Sequence, residues 1–211
     1  MDKGLSLREV RIFKGGAPLI AVHHDVAPGA VMTVMGPSGV GKSTLLAFIT
    51  GTLAPDFSAT GAVWLDGQNI THAAPHQRRV GILFQDDLLF PHLSVGANLA
   101  FGLPPGGSRA TRQARINDAL AEVGLVGFAD RDPATLSGGQ KARVALMRML
   151  LSEPCALLLD EPFSRLDAAL RAQVRDMVFD RARARALPVL MVTHDAEDAA
   201  AAGGDIITLG D

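Results

Sequence analysis

The chain has 211 residues, 48% apolar and 20% charged, with a net charge of −2. This is the balance of a globular domain, with no global field to recruit nucleic acid or anionic lipid. The opening MDKGLSLREV lacks an apolar core and cleavage site, no apolar run approaches the ~20 residues that cross a bilayer, and a lone Cys155 excludes an intrachain disulfide.

A cytosolic domain in a reducing compartment is therefore expected, with Cys155 a small buried residue at a strand start. Residues 5–12 and 18–22 read as two short strands joined by KGGAP. GAVMTVM (29–35) reads as a buried strand feeding a loop, and KSTLLAFITG (42–51) as a helix closed by Gly51. TGAVWLDGQNI (60–70) alternates around Asp66-Gly67, a hairpin signal, and VGILFQ (80–85) is another strand.

Between residues 86 and 150 the pattern becomes helical. SVGANLAFGL is followed by the loop PPGGSRAT (104–111), then by Ile116, Ala119, Leu120 and Val123 at helical spacing. A helix opens at LSGGQKARVALMRML (136–150). CALLLD (155–160) resumes the strands, and residues 168–186 read as a long helix with the stripe Leu170, Val174, Met177 and Val178. PVLMVTH (188–194), a short helix from Asp195 and DIITLGD complete the chain. Strands alternating with helices predict an α/β parallel sheet with 86–150 as an inserted lobe.

GPSGVGKST (36–44) matches G-x-x-x-x-G-K-[ST] between a predicted strand and a predicted helix. Glycines at Gly36, Gly39 and Gly41 let backbone N–H groups, with Pro37, Ser38 and Thr44 in the same loop, curl around phosphate. Lys42 supplies a point charge to β- and γ-phosphates, and Ser43 a hydroxyl for Mg²⁺. CALLLDEP delivers Asp160 to the carboxyl end of a buried strand, where open α/β sheets bind ligands. Asp160 can hold Mg²⁺ through water, and Glu161 can polarise an attacking water as general base. Ser137, Gly138 and Gly139 open a helix whose free N–H groups and positive dipole end suit a second anion.

These motifs together resemble the nucleotide-binding subunit of ABC transporters over nearly the whole chain. LSGGQ (136–140) is similar to that family's signature. Gln85 matches its Q-loop glutamine, a Mg²⁺ contact and hinge to the helical lobe. His194 matches its γ-phosphate histidine, and SRLD (164–167) its D-loop. The implied fold is a P-loop NTPase of the ABC ATPase kind: a mainly parallel core sheet, an N-terminal antiparallel β subdomain and an inserted α-helical subdomain at approximately 86–150. All of it falls in a single domain, 1–211. The implied cofactors are ATP and Mg²⁺, with Ser43, Gln85 and Asp160 at the metal and Glu161, His194 and Gln85 in catalysis. In this family two cassettes sandwich two ATP molecules, so Ser137, Gly138, Gly139 and Gln140 of one subunit close on the γ-phosphate held by the other. The second anion site has no lysine or metal ligand of its own, which agrees with half of a composite site.

The family also stacks an aromatic ring on adenine; this chain has no tyrosine, and Phe13 is either that ring or simple core. Arg165 stands where the D-loop usually has a small residue, and Lys141 follows Gln140 where Arg is frequent. His23 and His24 are adjacent in a strand and point to opposite faces, and Pro75 separates His72 from His76, so neither pair reads as a metal site. The basic run Arg181, Arg183, Arg185 reads as a solvated helix edge.

The phrasing LFPHLSVGANLAFG is similar to import systems for polyamines, iron, thiamine, sulfate and molybdate. That resemblance implies a separate membrane permease docking near 86–103, a second ATPase subunit read as an identical copy, and a periplasmic or extracellular substrate-binding protein. It places the chain on the cytoplasmic face of the inner membrane, with no nucleic-acid partner. The rival is a soluble, non-transport ABC ATPase of the iron–sulfur assembly type. The sequence stops at Asp211, just after the last predicted strand, so no appended regulatory β-rich domain is expected.

Overall fold

The computed structural model describes residues 3–164 and 166–210; Arg165, the D-loop departure noted above, lies outside the described residues. The chain divides into two compact units, the first comprising Met1–Ile82, Cys155–Glu161 and Phe179–Asp211, the second Leu83–Pro154 and Pro162–Val178.

The first unit contains two sheets. Strands β1 (Leu5–Lys14), β2 (Ala17–Val26), β4 (Phe57–Leu65) and β5 (Gln68–Asn69) form an antiparallel sheet in the order β2-β1-β4-β5. Leu5, Leu7, Val10 and Ile12 are fully buried while Glu9 and Arg11 are exposed, so one face of β1 is wet and the other covered. Asp66 and Gly67 both have positive φ, 49° and 79°, and Leu65 pairs with Gln68. This is the two-residue hairpin the Asp-Gly pair predicts. Strands β1 and β2 run longer than the segments 5–12 and 18–22, because cross-strand pairing carries them up to the Gly15-Gly16 turn.

The second sheet has the order β6-β7-β8-β3-β9, from β3 (Val31–Met35), β6 (Val80–Leu83), β7 (Ala156–Asp160), β8 (Val189–Thr193) and β9 (Asp205–Thr208). The pairs β3–β8, β3–β9 and β7–β8 are parallel. All five residues of β8 are buried, as continuous apolar runs require when a strand is covered on both faces. Helix α1 (Lys42–Thr50) puts Leu45, Leu46 and Ile49 into one cluster with Met32, Val34, Leu158, Leu190 and the covered face of β1. Pro75–Gln77 forms one 3₁₀ turn with Pro75 at its start, a helical position that tolerates proline and that the sequence reading did not expect.

The second unit is built on α2 (Val95–Gly102), α3 (Arg109–Glu122), α4 (Gly138–Leu151) and the first part of α5 (Ala168–Ala184). Ser94 and Ser108 cap α2 and α3 by accepting from Ala97 and Thr111 N–H. Ile116, Ala119, Leu120 and Val123 are buried, as their spacing predicts. In α5 the buried residues are Val174, Val178, Phe179 and Ala182, whereas Leu170 and Met177 are only partly covered, so the stripe is rotated from the predicted one. Among the described residues, no helix is long and apolar enough to cross a membrane.

Candidate functional site

In the first unit, β3 ends at Met35 and the chain turns through 36–41 into α1. Gly41 has φ 104°, and a Cβ there would stand 2.8 Å from Ile20 Cδ1, so only glycine lets the loop pass this close to β2. Pro37, Ser38 and Gly39 are exposed and Thr44 is partly covered. The loop therefore offers open backbone at the start of a helix that presents no side-chain cap of its own.

Lys42 is 6% exposed, and its Nζ donates to the carbonyls of Gly36 (2.6 Å) and Pro37 (3.1 Å). A buried ammonium held by neutral carbonyls, 3.9 Å from Glu161 Oε1, is a cation short of strong anionic partners. Phosphate oxygens would meet that need better than carbonyls do. Ser43 Oγ donates to Asp160 Oδ1 at 3.2 Å. A hydroxyl and a carboxylate in reach of each other form a hard oxygen donor pair, which suits a cation such as Mg²⁺ that takes its other ligands from water and phosphate.

Burial pushes the Asp160 carboxyl above the ordinary carboxylate value; the Ser43 hydrogen bond opposes this, Glu161 adds to it and Lys42 opposes it. Glu161 sits one residue past β7 with φ 46°, a left-handed conformation uncommon for a non-glycine residue, and its N–H donates to Val192 O at 3.0 Å. That backbone turn separates the two consecutive carboxylates. Asp160 goes to Ser43, while Glu161 Oε1 lies 3.1 Å from His194 Nδ1. His194 follows β8, and its side chain is 59% exposed, so the imidazole reaches the carboxylate from the solvent side.

Phe13 is half-buried and, with Arg11, Pro18, Leu19, Ile20 and Ala21, lines a groove of about 290 Å³. Leu19 and Ile20 are the residues against which Gly41 packs, so Phe13 borders a groove leading to the loop at 36–44. His23 and His24 turn to different acids, Glu9 at 3.0 Å and Asp205 at 3.1 Å.

The remaining predicted residues lie in the second unit. Gln85 is exposed, two residues beyond β6. Ser137 is the N-cap of α4. Its hydroxyl accepts from Gln140 N–H (3.3 Å), and Gln140 Oε1 accepts from Ser137 N–H (3.0 Å). This box uses the Gln140 side chain and leaves the N–H groups of Gly138 and Gly139 without a partner among the described residues. Gly138 faces open space, whereas a side chain on Gly139 would run into Leu170 of α5, so Gly139 has a packing reason the sequence reading missed.

The segment after Gln85 is held from beneath. Asn98 is fully buried and bonds to Phe90 N and to the carbonyls of Phe90, Leu93 and Ser94. Arg148 donates to Leu88 O (2.9 Å) and Asp87 O (3.3 Å). On the outside, Leu88 is 55% and Phe101 69% exposed, and the Phe101 ring meets Phe90 edge-on at 4.8 Å. The signal for Asn98 and Arg148 was there: each is a polar residue inside an otherwise apolar helical run.

The ABC transporter family model matches residues 19–164. The uncharacterised ABC transporter ATP-binding protein YnjD of Escherichia coli (strain K12) is 54% identical over 180 residues, 85% of this chain and 83% of that protein. The thiamine import ATP-binding protein ThiQ of Vibrio vulnificus (strain YJ016) is 44% identical over 184 residues, 87% of this chain and 77% of that protein. The Fe(3+) ions import ATP-binding protein FbpC of Escherichia coli (strain K12) is 40% identical over 189 residues, 89% of this chain and 53% of that protein. Fold, motif order and these likenesses agree, and the chain belongs to the ABC transporter family as an ATP-binding, ATP-hydrolysing subunit.

Proposed function

We propose that this chain powers solute import from the cytoplasmic face of the inner membrane, as one of two identical ATPase subunits bound to a separate permease. The observation that carries the chemistry is the meeting of Lys42, Ser43, Asp160, Glu161 and His194 within one unit. ATP enters with its base against Phe13 and its phosphates in the loop 36–44. Lys42 exchanges its two carbonyl acceptors for phosphate oxygens. Ser43, Gln85 and Asp160 would hold Mg²⁺, which would supply charge neutralisation at the phosphates. Glu161 orients water and takes its proton, while His194 beside it stabilises the departing phosphate.

Ser137, Gly138, Gly139 and Gln140 of the second subunit complete the site over the γ-phosphate. The two unpartnered glycine N–H groups support this, since they offer donors without a charge of their own. Loss of the γ-phosphate then opens the pair. The exposed Leu88 and Phe101, with the partly covered Phe90 between them and Asn98 and Arg148 beneath, support docking of the permease near 86–103. Import is supported by the relatives named for thiamine and Fe(3+) import. A periplasmic or extracellular binding protein then delivers the solute, and nucleic acid takes no part. Residues 1–211 act as one ABC ATPase domain, with the helical lobe inserted at approximately 86–150.

The test is to purify tagged Glu161→Gln from its native cells with ATP in mild detergent and identify its companions. A multi-span permease is expected. A soluble assembly without membrane protein would overturn the import reading and leave the ATPase chemistry standing.

A further inference from the structure

Arg78 is 6% exposed, yet no carboxylate pairs with it among the described residues. Its donors all go to backbone carbonyls. Nη1 donates to Phe48 O and Ile49 O, both at 2.9 Å; Nε to Ala73 O at 2.9 Å; and Nη2 to Thr71 O at 2.6 Å. Burial lowers its pKa from the ordinary arginine value. Phe48 and Ile49 belong to the last turn of α1, where free carbonyls concentrate about half a negative charge. Gly51 ends that helix, and a Cβ there would stand 2.6 Å from the guanidinium carbon, so the absence of a side chain is what lets the planar group lie against the helix end.

Thr71 and Ala73 lie beyond β5, and Thr71 is itself fixed to β4, accepting from Val63 N–H at 2.9 Å. The guanidinium therefore ties the C-terminal end of α1 to the antiparallel sheet. The other end of α1, nine residues and about 13 Å away, carries Lys42 and Ser43. A helix pinned at one end can slide little along its axis, and an axial slip would move Ser43 off Asp160.

We propose that Arg78 is a positioning residue for the phosphate site, setting the axial placement of α1 and so the register of Lys42 and Ser43 with Asp160 and Glu161. The proposal rests on the reading of residues 36–44 as the phosphate loop. Lysine at this position keeps the charge but loses the fork that serves four carbonyls at once.

The test compares Arg78→Lys and Arg78→Met with Leu7→Ala, a core change in β1 that loosens the cluster α1 shares but leaves the Arg78 bonds to the four carbonyls in place. Binding of MgATP and of inorganic pyrophosphate is measured on the full chain, at a temperature where circular dichroism shows every variant folded. Lys42→Ala is carried alongside. The expected result is a dissociation constant raised about tenfold for both probes in Arg78→Met, less in Arg78→Lys and not in Leu7→Ala. Unchanged affinity in folded Arg78→Met or Arg78→Lys overturns the positioning role, as does an equal loss in Leu7→Ala. Should Arg78→Met not fold, Arg78→Lys against Leu7→Ala gives the same decision. Full binding by Lys42→Ala would instead overturn the phosphate-loop reading itself.

Discussion

The chain contains two glycine-rich helix starts, and they are furnished very differently. Around α1 stand a buried lysine, a hydroxyl on a carboxylate, a second carboxylate and a histidine. At the start of α4 a serine and a glutamine cap each other, and two glycine N–H groups are left over. The first place can bind, charge-balance and activate; the second can only accept an anion. Capping also differs in kind. Gly41 leaves the first turn of α1 uncapped for a ligand, whereas the box at Ser137 shapes the α4 start and leaves two donors. A helix mouth becomes a catalytic site through the side chains brought to it, and without them it can serve as the other half of one.

The largest effect is expected where the furnishing is richest. Lys42→Ala should lower ATP turnover by at least about a hundredfold, with weakened nucleotide binding, measured by phosphate release and titration. Ser137→Arg should break the other half differently. Steady-state turnover falls by a comparable factor, while ATP affinity of the isolated monomer stays within about twofold. Equal loss of binding in that monomer would erase the contrast between the two starts.

Asp160→Asn sharpens the contrast through pH. The Asp160 carboxyl is raised chiefly by burial, so its folded value lies above its unfolded one. A group of that kind favours folding while protonated; the contribution is complete below the unfolded value near 3.9 and is lost as pH rises through the raised value. Asparagine avoids that loss. Nucleotide-free Asp160→Asn should therefore melt above wild type at neutral pH, by no more than about 2–4 °C since solvent screens a partly exposed group. Mg²⁺-dependent ATP binding should fall in the same variant, which separates the metal role from the structural one. The smallest effect is Gly139→Ala. Contact with Leu170, whose half-covered side chain can shift aside, should destabilise the chain by under about 1 kcal/mol in thermal or urea melts, and Leu170→Ala should recover part of it.

Much of the fold and local geometry was legible from residue order, because the glycine-rich loop at 36–44, the strand-end carboxylates and the LSGGQ helix start are local patterns with their own backbone requirements. The Asp66-Gly67 hairpin and the Ile116–Val123 spacing were legible for the same reason. What escaped was set by residues distant in the chain. Gly139 packs against the Leu170 side chain, 31 positions away, and Gly51 against the guanidinium of Arg78 as well as at the helix end. The buried stripe of α5 shifted to Phe179 and Ala182 because neighbouring elements, not the helix's own periodicity, decide which face is covered. Asn98 and Arg148 stood out as polar residues in apolar runs, but which backbone carbonyls they and Arg78 serve appears only once the carbonyls are placed.

In the proposed dimer, the α4 start of one copy completes the α1 site of the other. The most direct measurement of this is the solution mass of Glu161→Gln with and without MgATP, beside the double variant Glu161→Gln, Ser137→Arg. Glu161→Gln should double its mass with MgATP, and the double variant should bind nucleotide yet stay monomeric. A Glu161→Gln protein that remains monomeric with bound nucleotide, or a dimer indifferent to Ser137→Arg, would contradict it.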